Sequence, residues 1–404
     1  MSGRLLLVVV ASLGVAGCTD ASHPATQSIV APERSMSEIG AAANDRLTAS
    51  GLWNKRTRAI IGRQGGSSPK AARTFALVSV AQYDAVIAAE DSKDRGLHPS
   101  EAGAVSAASA AVLAGLYPAE QSFTAAQLAA DAEYFPALPS ERDADFSAGI
   151  AVGQAVAAAV LARAATDGSK TSWAGTVPTG DGFWIPESMP PQDANWGGVR
   201  PWLLTSGDQF RPAPPPAFGS EQFLTDLTEV RYDSDNRTPE ELEIARFWAS
   251  GYGPGGPAGF FGSLADSMAA DEHMDERRTA RMLAVLHMAI MDASIGCYDG
   301  KYFYWYIRPY QTDRMISTPV GKPNFPSYPS AHSCLSSAAA GVLEGFFPSA
   351  KGPLQAMVQQ AGLARIYAGL HFRFDVVAGQ TLGFSVADLA LRSAPIGHRS
   401  IPLQ

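Results

Sequence analysis

An all-α fold, built as two helical bundles in one compact unit, is predicted by three observations. Strand-period alternation is nowhere sustained along the 404 residues. Apolar residues recur instead at helical spacing in long Ala-rich stretches, punctuated by pairs such as Tyr117-Pro118 and Phe135-Pro136, where a helix does not readily continue. Helix-start signals precede some of them, the clearest being Thr238-Pro239-Glu240-Glu241, an N-cap followed by Pro at the first helical position.

The elements follow in order. A helix is expected near 36–50, and the run PKAARTFALVSVAQYDAVIAAE gives a second from about Pro69 to Glu90, with Ser67 and Ser68 available as caps. Helices over 100–115, 120–134 and 140–166 complete a first bundle. Residues 147–165 are mostly Ala and Gly, interrupted by Gln154 and Arg163, so they read as a close-packed helix, and no stretch after residue 18 is expected to span a bilayer. From 167 to about 237 the chain turns rich in Gly, Pro and Trp, an irregular stretch that either lines the mouth of a site or wraps the bundles. Helices over 238–250, about 260–270, 272–307, 332–346, 352–367 and 371–392 form a second bundle.

At the N-terminus Arg4 precedes an apolar run that closes with Val15-Ala16-Gly17-Cys18, too short for a spanning helix. This resembles a bacterial lipoprotein signal. It implies a signal peptide over 1–17, lipidation of Cys18, a polar tether over 18–35 and a helical unit over 36–395; an ordinary secretory signal cut nearby is the alternative. Both imply export, the first with a lipid anchor at the outer membrane or in the periplasm, and with no other membrane contact. A formal charge of −8 argues against a nucleic-acid partner. Of three cysteines, Cys297 and Cys334 remain after Cys18, either paired or as buried free thiols.

The chemistry concentrates between 298 and 380, where the chain reads KYFYWYIRP, FPSYPSAH and ARIYAGLHFRFD. Lys301 and Arg308 are seven apart, two helical turns, and are expected on one face of a helix that Pro309 terminates. Ser330 and His332 sit on a Pro-rigidified turn into a helix, whose N-terminus would offer an anion the Ala331 amide. His371 and Asp375 are four apart and are expected stacked on one helix face, so that the carboxylate orients the imidazole. Arg365 adds a guanidinium suited to bidentate oxyanion binding. Three cations, a hydroxyl and two histidines describe a site for a tetrahedral or trigonal-bipyramidal anion. His23, His98, His273, His287 and His398 fall outside it, and His287 reads as a core histidine.

These motifs resemble those of the vanadium-dependent haloperoxidases of the type 2 phosphatidic acid phosphatase superfamily. The superfamily pattern is Lys, six residues, Arg-Pro; then Pro-Ser-Gly-His; then Ser-Arg, five residues, His, three residues, Asp, and it is met here with two departures, Ala331 for the glycine and Ala364 for the serine. The resemblance extends over roughly 70–390 and implies that His371 ligates vanadium(V), that Lys301, Arg308, Ser330, Ala331 and Arg365 hold the vanadate oxygens, and that His332 is the acid/base. It further implies that Lys301 polarises bound peroxide and that Phe325 lines a halide pocket. The expected reaction is oxidation of halide, bromide first, by hydrogen peroxide to hypohalous acid that halogenates a small organic acceptor, with no haem or flavin. The alternative is an exported phosphatase holding phosphate in the same site and working through a phosphohistidine at His371.

Overall fold

The computed structural model describes residues 47–93, 96–251, 253–393 and 400–402. The expected signal peptide, Cys18, the tether and most of the helix near 36–50 lie outside the described residues. Among those described the fold is all-α, with two isolated bridges, Pro99 with Asp145 and Phe183 with Tyr306, in place of any strand.

The first bundle comprises α1 (Ala49–Gln64), α2 (Ser68–Lys93), α3 (Glu101–Leu116), α4 (Gln121–Tyr134) and α5 (Phe146–Ala165). Side-chain caps set three of the starts, because Thr48, Ser100 and Asp145 each accept from the backbone N–H three residues on. The described helices thus open with α1, which the sequence reading does not separate, and the helix expected from residue 140 begins at Phe146. After α6 (Glu221–Asn236) and α7 (Pro239–Arg246) come α8 (Gly256–Asp271), α9 (Glu276–Tyr304), the single turn α10 (Pro309–Thr312), α11 (Ala331–Phe346), α12 (Lys351–Tyr367) and α13 (Arg373–Ser393). Thr238 and Glu241 form the reciprocal capping box of α7, as the sequence signals.

The long helix α9 joins the two bundles. Its Ala280, Ala284 and Met288 pack into the core of the first, while Met282, Leu283, Leu286, Ile290 and Ile295 pack into that of the second. By length and composition α5, α9 and α13 are apolar enough to cross a membrane, contrary to the sequence expectation. The apolarity of α9 has an internal cause, since 94% of its apolar window is buried within the protein. On α13 the close approach to α11 needs glycine: a Cβ at Gly379 would stand 2.6 Å from Ser330 O, and one at Gly383 2.2 Å from Cys334 O.

The irregular stretch after α5 wraps α9. The Asp292 carboxylate collects the backbone N–H groups of Trp202, Leu203 and Leu204 at 2.6–2.9 Å, and Asp299 pairs with Arg211 at 2.6 Å. Between these two on α9, Trp196 Nε1 donates to Ser294 Oγ at 2.9 Å. Within that stretch α6, capped by Ser220, is a helix that the sequence reading assigns to loop.

Candidate active site

Lys301 occupies the last turn of α9 and is fully buried. The helix does not run on to Pro309 as expected. It ends at Tyr304 because Trp305 turns left-handed (φ 50°) while its N–H still reaches Lys301 O at 2.9 Å. The reversed chain pairs with the wrapping segment, Trp184 N donating to Trp305 O at 2.7 Å and Ile307 N to Gly182 O at 2.9 Å. Arg308 then enters the site on extended backbone (φ −95°, ψ 154°). The two cations therefore converge through a hook and share no helix face.

Both grip the FPSYPS loop. Lys301 Nζ donates to the carbonyls of Pro326, Ser327 and Pro329 at 2.9, 2.8 and 2.5 Å. Arg308 donates to Phe325 O at 2.9 and 3.0 Å and to Leu370 O at 2.8 Å. The Phe325 ring lies beside both, 5.0 Å from Lys301 Nζ and 5.2 Å from the Arg308 guanidinium carbon, a cation–π arrangement. Outside this loop the Asn324 amide binds the strap over 187–190, accepting from Glu187 N at 3.0 Å and donating to Ser188 O at 2.9 Å.

Ser330 is the N-cap residue of α11, but its buried Oγ makes no hydrogen bond within the protein. Ala331 opens the helix with a negative φ, so the missing motif glycine leaves no left-handed strain here. Ala364, in place of the motif serine, is packed in the core. Arg365 is 4% exposed at the end of α12. Gly369 turns the chain at φ 71°, where a Cβ would meet Ile316 Cγ2 at 2.7 Å, and returns it as His371.

His371 precedes α13, so the expected stacking on one helix face is also corrected: only Asp375 is helical. The contact nonetheless forms, His371 Nδ1 to Asp375 Oδ2 at 2.9 Å. The same oxygen accepts from Ser327 Oγ at 2.5 Å and from Phe372 N at 3.1 Å. A carboxylate acceptor puts the proton on Nδ1 and leaves the lone pair on Nε2, which lies 3.4 Å from the Arg308 guanidinium. His332 Nε2 stands 2.7 Å from Trp248 O. A carbonyl only accepts, so Nε2 carries the proton and Nδ1 the lone pair. Trp248 belongs to a wide helical turn, Phe247–Gly251, that continues α7.

Electrostatics make the enclosure anion-seeking. Burial and the neighbouring cations hold both histidines well below their usual range, hence neutral. Burial lowers Lys301 to about 8 and raises Asp375 to about 7. Lys301, Arg308 and Arg365 face one carboxylate in a space shielded from solvent, a charge excess that an oxyanion would neutralise. The Ser330 hydroxyl and the first N–H groups of α11 add donors without a carboxylate's repulsion. Among the described residues no group of three or more His, Cys, Asp or Glu side chains could hold a bare metal cation. Vanadate fits this donor set, because its oxygens need cations and hydrogen bonds and its metal needs one neutral imidazole.

The sequence residues Lys301, Phe325, Arg308, Ser330, His371 and Asp375 are thus brought around one loop, with Ala331, His332 and Arg365 on the adjoining helix ends. Ser327, Asn324 and the Trp248 carbonyl were missed. Ser327 lies inside a motif already singled out, whereas a carbonyl role leaves no mark in a sequence. His287 is a buried core residue as expected, stacked on Phe75 with ring centroids 4.8 Å apart.

Residues 281–396 match the PAP2 superfamily family model. The chain is similar in structure to a bacterial vanadium-dependent iodoperoxidase, 24% identical with a TM-score of 0.73 over 86% of this chain and 96% of that one. It is also similar to a bacterial vanadium-dependent chloroperoxidase in its holo form (13% identity, TM-score 0.63, covering 81% and 91%) and in its apo form (14%, 0.61, 80% and 92%). No curated protein matches the chain significantly.

Proposed function

We propose that this chain, with a PAP2 match and a fold like that of the bacterial vanadium haloperoxidases, is a vanadate-dependent haloperoxidase that oxidises halide with hydrogen peroxide. Bromide is the halide we assign, and a small organic molecule the acceptor of the hypohalous acid. One observation carries the reading: a buried excess of cations and a partnerless Ser330 hydroxyl lie beside a histidine whose Nε2 lone pair is held outward by Asp375.

In this reading His371 Nε2 is the metal ligand, and Arg308, Arg365, Ser330 and the Ala331 amide hold the oxygens. The bound vanadium(V) supplies Lewis acidity toward peroxide without changing oxidation state. Lys301 acts through its charge, since its three donors already hold the loop. His332 Nδ1 accepts the proton that entering peroxide releases, while the Trp248 carbonyl keeps Nε2 protonated. Phe325 presents an apolar, cation-flanked edge to the halide. We assign the mature protein to an exported, lipid-anchored location through Cys18.

The same cage suits phosphate, so a phosphatase using His371 as nucleophile and His332 as leaving-group acid is the competing reading, favoured by the PAP2 match alone. Side-by-side assays decide. Bromination of a phenol by peroxide should require added orthovanadate and be suppressed by phosphate. Vanadate-independent or absent bromination, with phosphomonoester turnover, would sink the haloperoxidase reading.

A further inference from the structure

Two thiols lie directly behind the cage. Cys297, one turn before Lys301 on α9, and Cys334, one turn after Ser330 on α11, are both buried and unbridged. They lie on two packed helices in the core of the second bundle, near enough for their side chains to interact. Cys297 Sγ also donates to Pro329 O at 3.7 Å, and that carbonyl is an acceptor of Lys301 Nζ. Pro329 immediately precedes Ser330, so the thiol pair touches both the loop that Lys301 organises and the helix start that presents Ser330 and Ala331.

We propose that Cys297 and Cys334 are an oxidisable dithiol, closed to a disulfide by hydrogen peroxide, and that closure loosens the oxyanion cage through Pro329. The inference rests on the haloperoxidase reading only for the identity of the oxidant and of the anion.

The chemistry balances within the pair. The Cys297 thiolate attacks one peroxide oxygen, the O–O bond breaks, and hydroxide leaves a sulfenic acid. The Cys334 thiol then attacks that sulfur, the S–O bond breaks, and water leaves as the S–S bond forms. Two thiols lose two protons and two electrons, and the peroxide takes them up to become two waters. Cys297 suits the first step: burial pushes its pKa up, but the neighbouring Cys334 thiol and the Lys301 ammonium bring it below the usual thiol value. Burial leaves Cys334 well above that value, so it serves as the resolving thiol.

Closure has a mechanical consequence. An S–S bond is only about 2 Å long, so the sulfurs must draw together, and the Cys297 S–H donor to Pro329 O disappears. The loop then keeps Lys301 as its tie at that carbonyl but loses the second donor that helps fix it ahead of Ser330.

The full chain, reduced and then desalted, is treated with a few equivalents of hydrogen peroxide without vanadate. Intact mass should fall by two hydrogens, and a non-reducing digest should yield a peptide joining residues 297 and 334 that dithiothreitol separates. Persistence of both thiols, or sulfinic acid at Cys297 without the cross-link, would overturn the dithiol. Orthovanadate affinity is then measured by calorimetry on reduced and oxidised protein. A loss of about tenfold on oxidation, reversed by dithiothreitol and absent in Cys334→Ser or Cys334→Ala, is expected. Unchanged affinity in a cross-linked protein would overturn the coupling, whereas reduced protein that binds no vanadate would count against the haloperoxidase reading and leave the cross-link standing.

Discussion

His371 Nδ1 meets Asp375 Oδ2 at 2.9 Å across the start of a helix, with the imidazole outside α13 and the carboxylate in its first turn. This bond leaves Nε2 as the lone pair, and the His332–Trp248 bond leaves Nδ1 as the lone pair of the other histidine. The two imidazoles are thereby prepared for different tasks. His371→Ala should abolish vanadate retention, while His332→Ala should bind vanadate more weakly and lose turnover. Equal vanadate affinity in the two variants, measured by equilibrium dialysis, would show the roles to be misassigned.

Ser327 donates to the Asp375 oxygen that holds His371. Removing this support lets the carboxylate and then the imidazole wander, an effect of roughly 10–100-fold at comparable outer-shell positions. Ser327→Ala should weaken orthovanadate binding within that range, with melting temperature little changed. Unaltered affinity would mean that Phe372 N and the Asp375 backbone suffice to orient His371.

Lys301 has a structural load as well as a charge. Lys301→Ala strips the donor from three carbonyls of the 326–329 loop and should cost about 3 kcal/mol of stability, read from denaturant midpoints. At saturating vanadate or substrate, it should also reduce bromide oxidation far more than any residual phosphomonoesterase activity. Equal loss of both activities, in a wild type that hydrolyses faster than it halogenates, would favour the phosphatase.

His287 makes an acid-side prediction. Burial lowers its pKa to about 3 from 6.5. Below 6.5 the unfolded chain takes up a proton that the folded chain refuses, so this group removes stability as pH falls from 6.5 toward 3 and contributes no pH dependence above that window. Between pH 6.5 and 5 the loss amounts to about 2 kcal/mol. His287→Gln should unfold with a correspondingly shallower dependence over that interval, and parallel curves for variant and wild type would contradict the assignment.

Much of this was legible in the chain. The caps at Thr238 and the Ala-rich periodicity locate most helices, and the motif residues do converge. What was hidden has physical reasons. Helix α6 buries only Phe223, Asp226 and Val230 and is preceded by a Pro-rich segment, so its apolar stripe is too thin to stand out. The end of α9 depends on a left-handed Trp305, a residue type that gives no stop signal. His371 misses its helix because Gly369 redirects the chain two residues before it. The apolarity of α9 was underestimated because a helix shared between two bundles, with 94% of its apolar window buried, approaches the composition of a membrane span.

The hook at Trp305 changes what the distance between Lys301 and Arg308 means. On a continuous helix, that interval would be a phase, and adding a full turn would restore the alignment. Across a reversal, it is a tether length: the three residues from Trp305 to Ile307 are clasped by Gly182 and Trp184, and one more or one fewer would displace the guanidinium along the loop. Insertions should therefore be excluded between 305 and 308 at any multiple, yet tolerated in the exposed chain around Gly321. In a library of single-residue insertions, the gap that keeps its length would mark the hook rather than the helix.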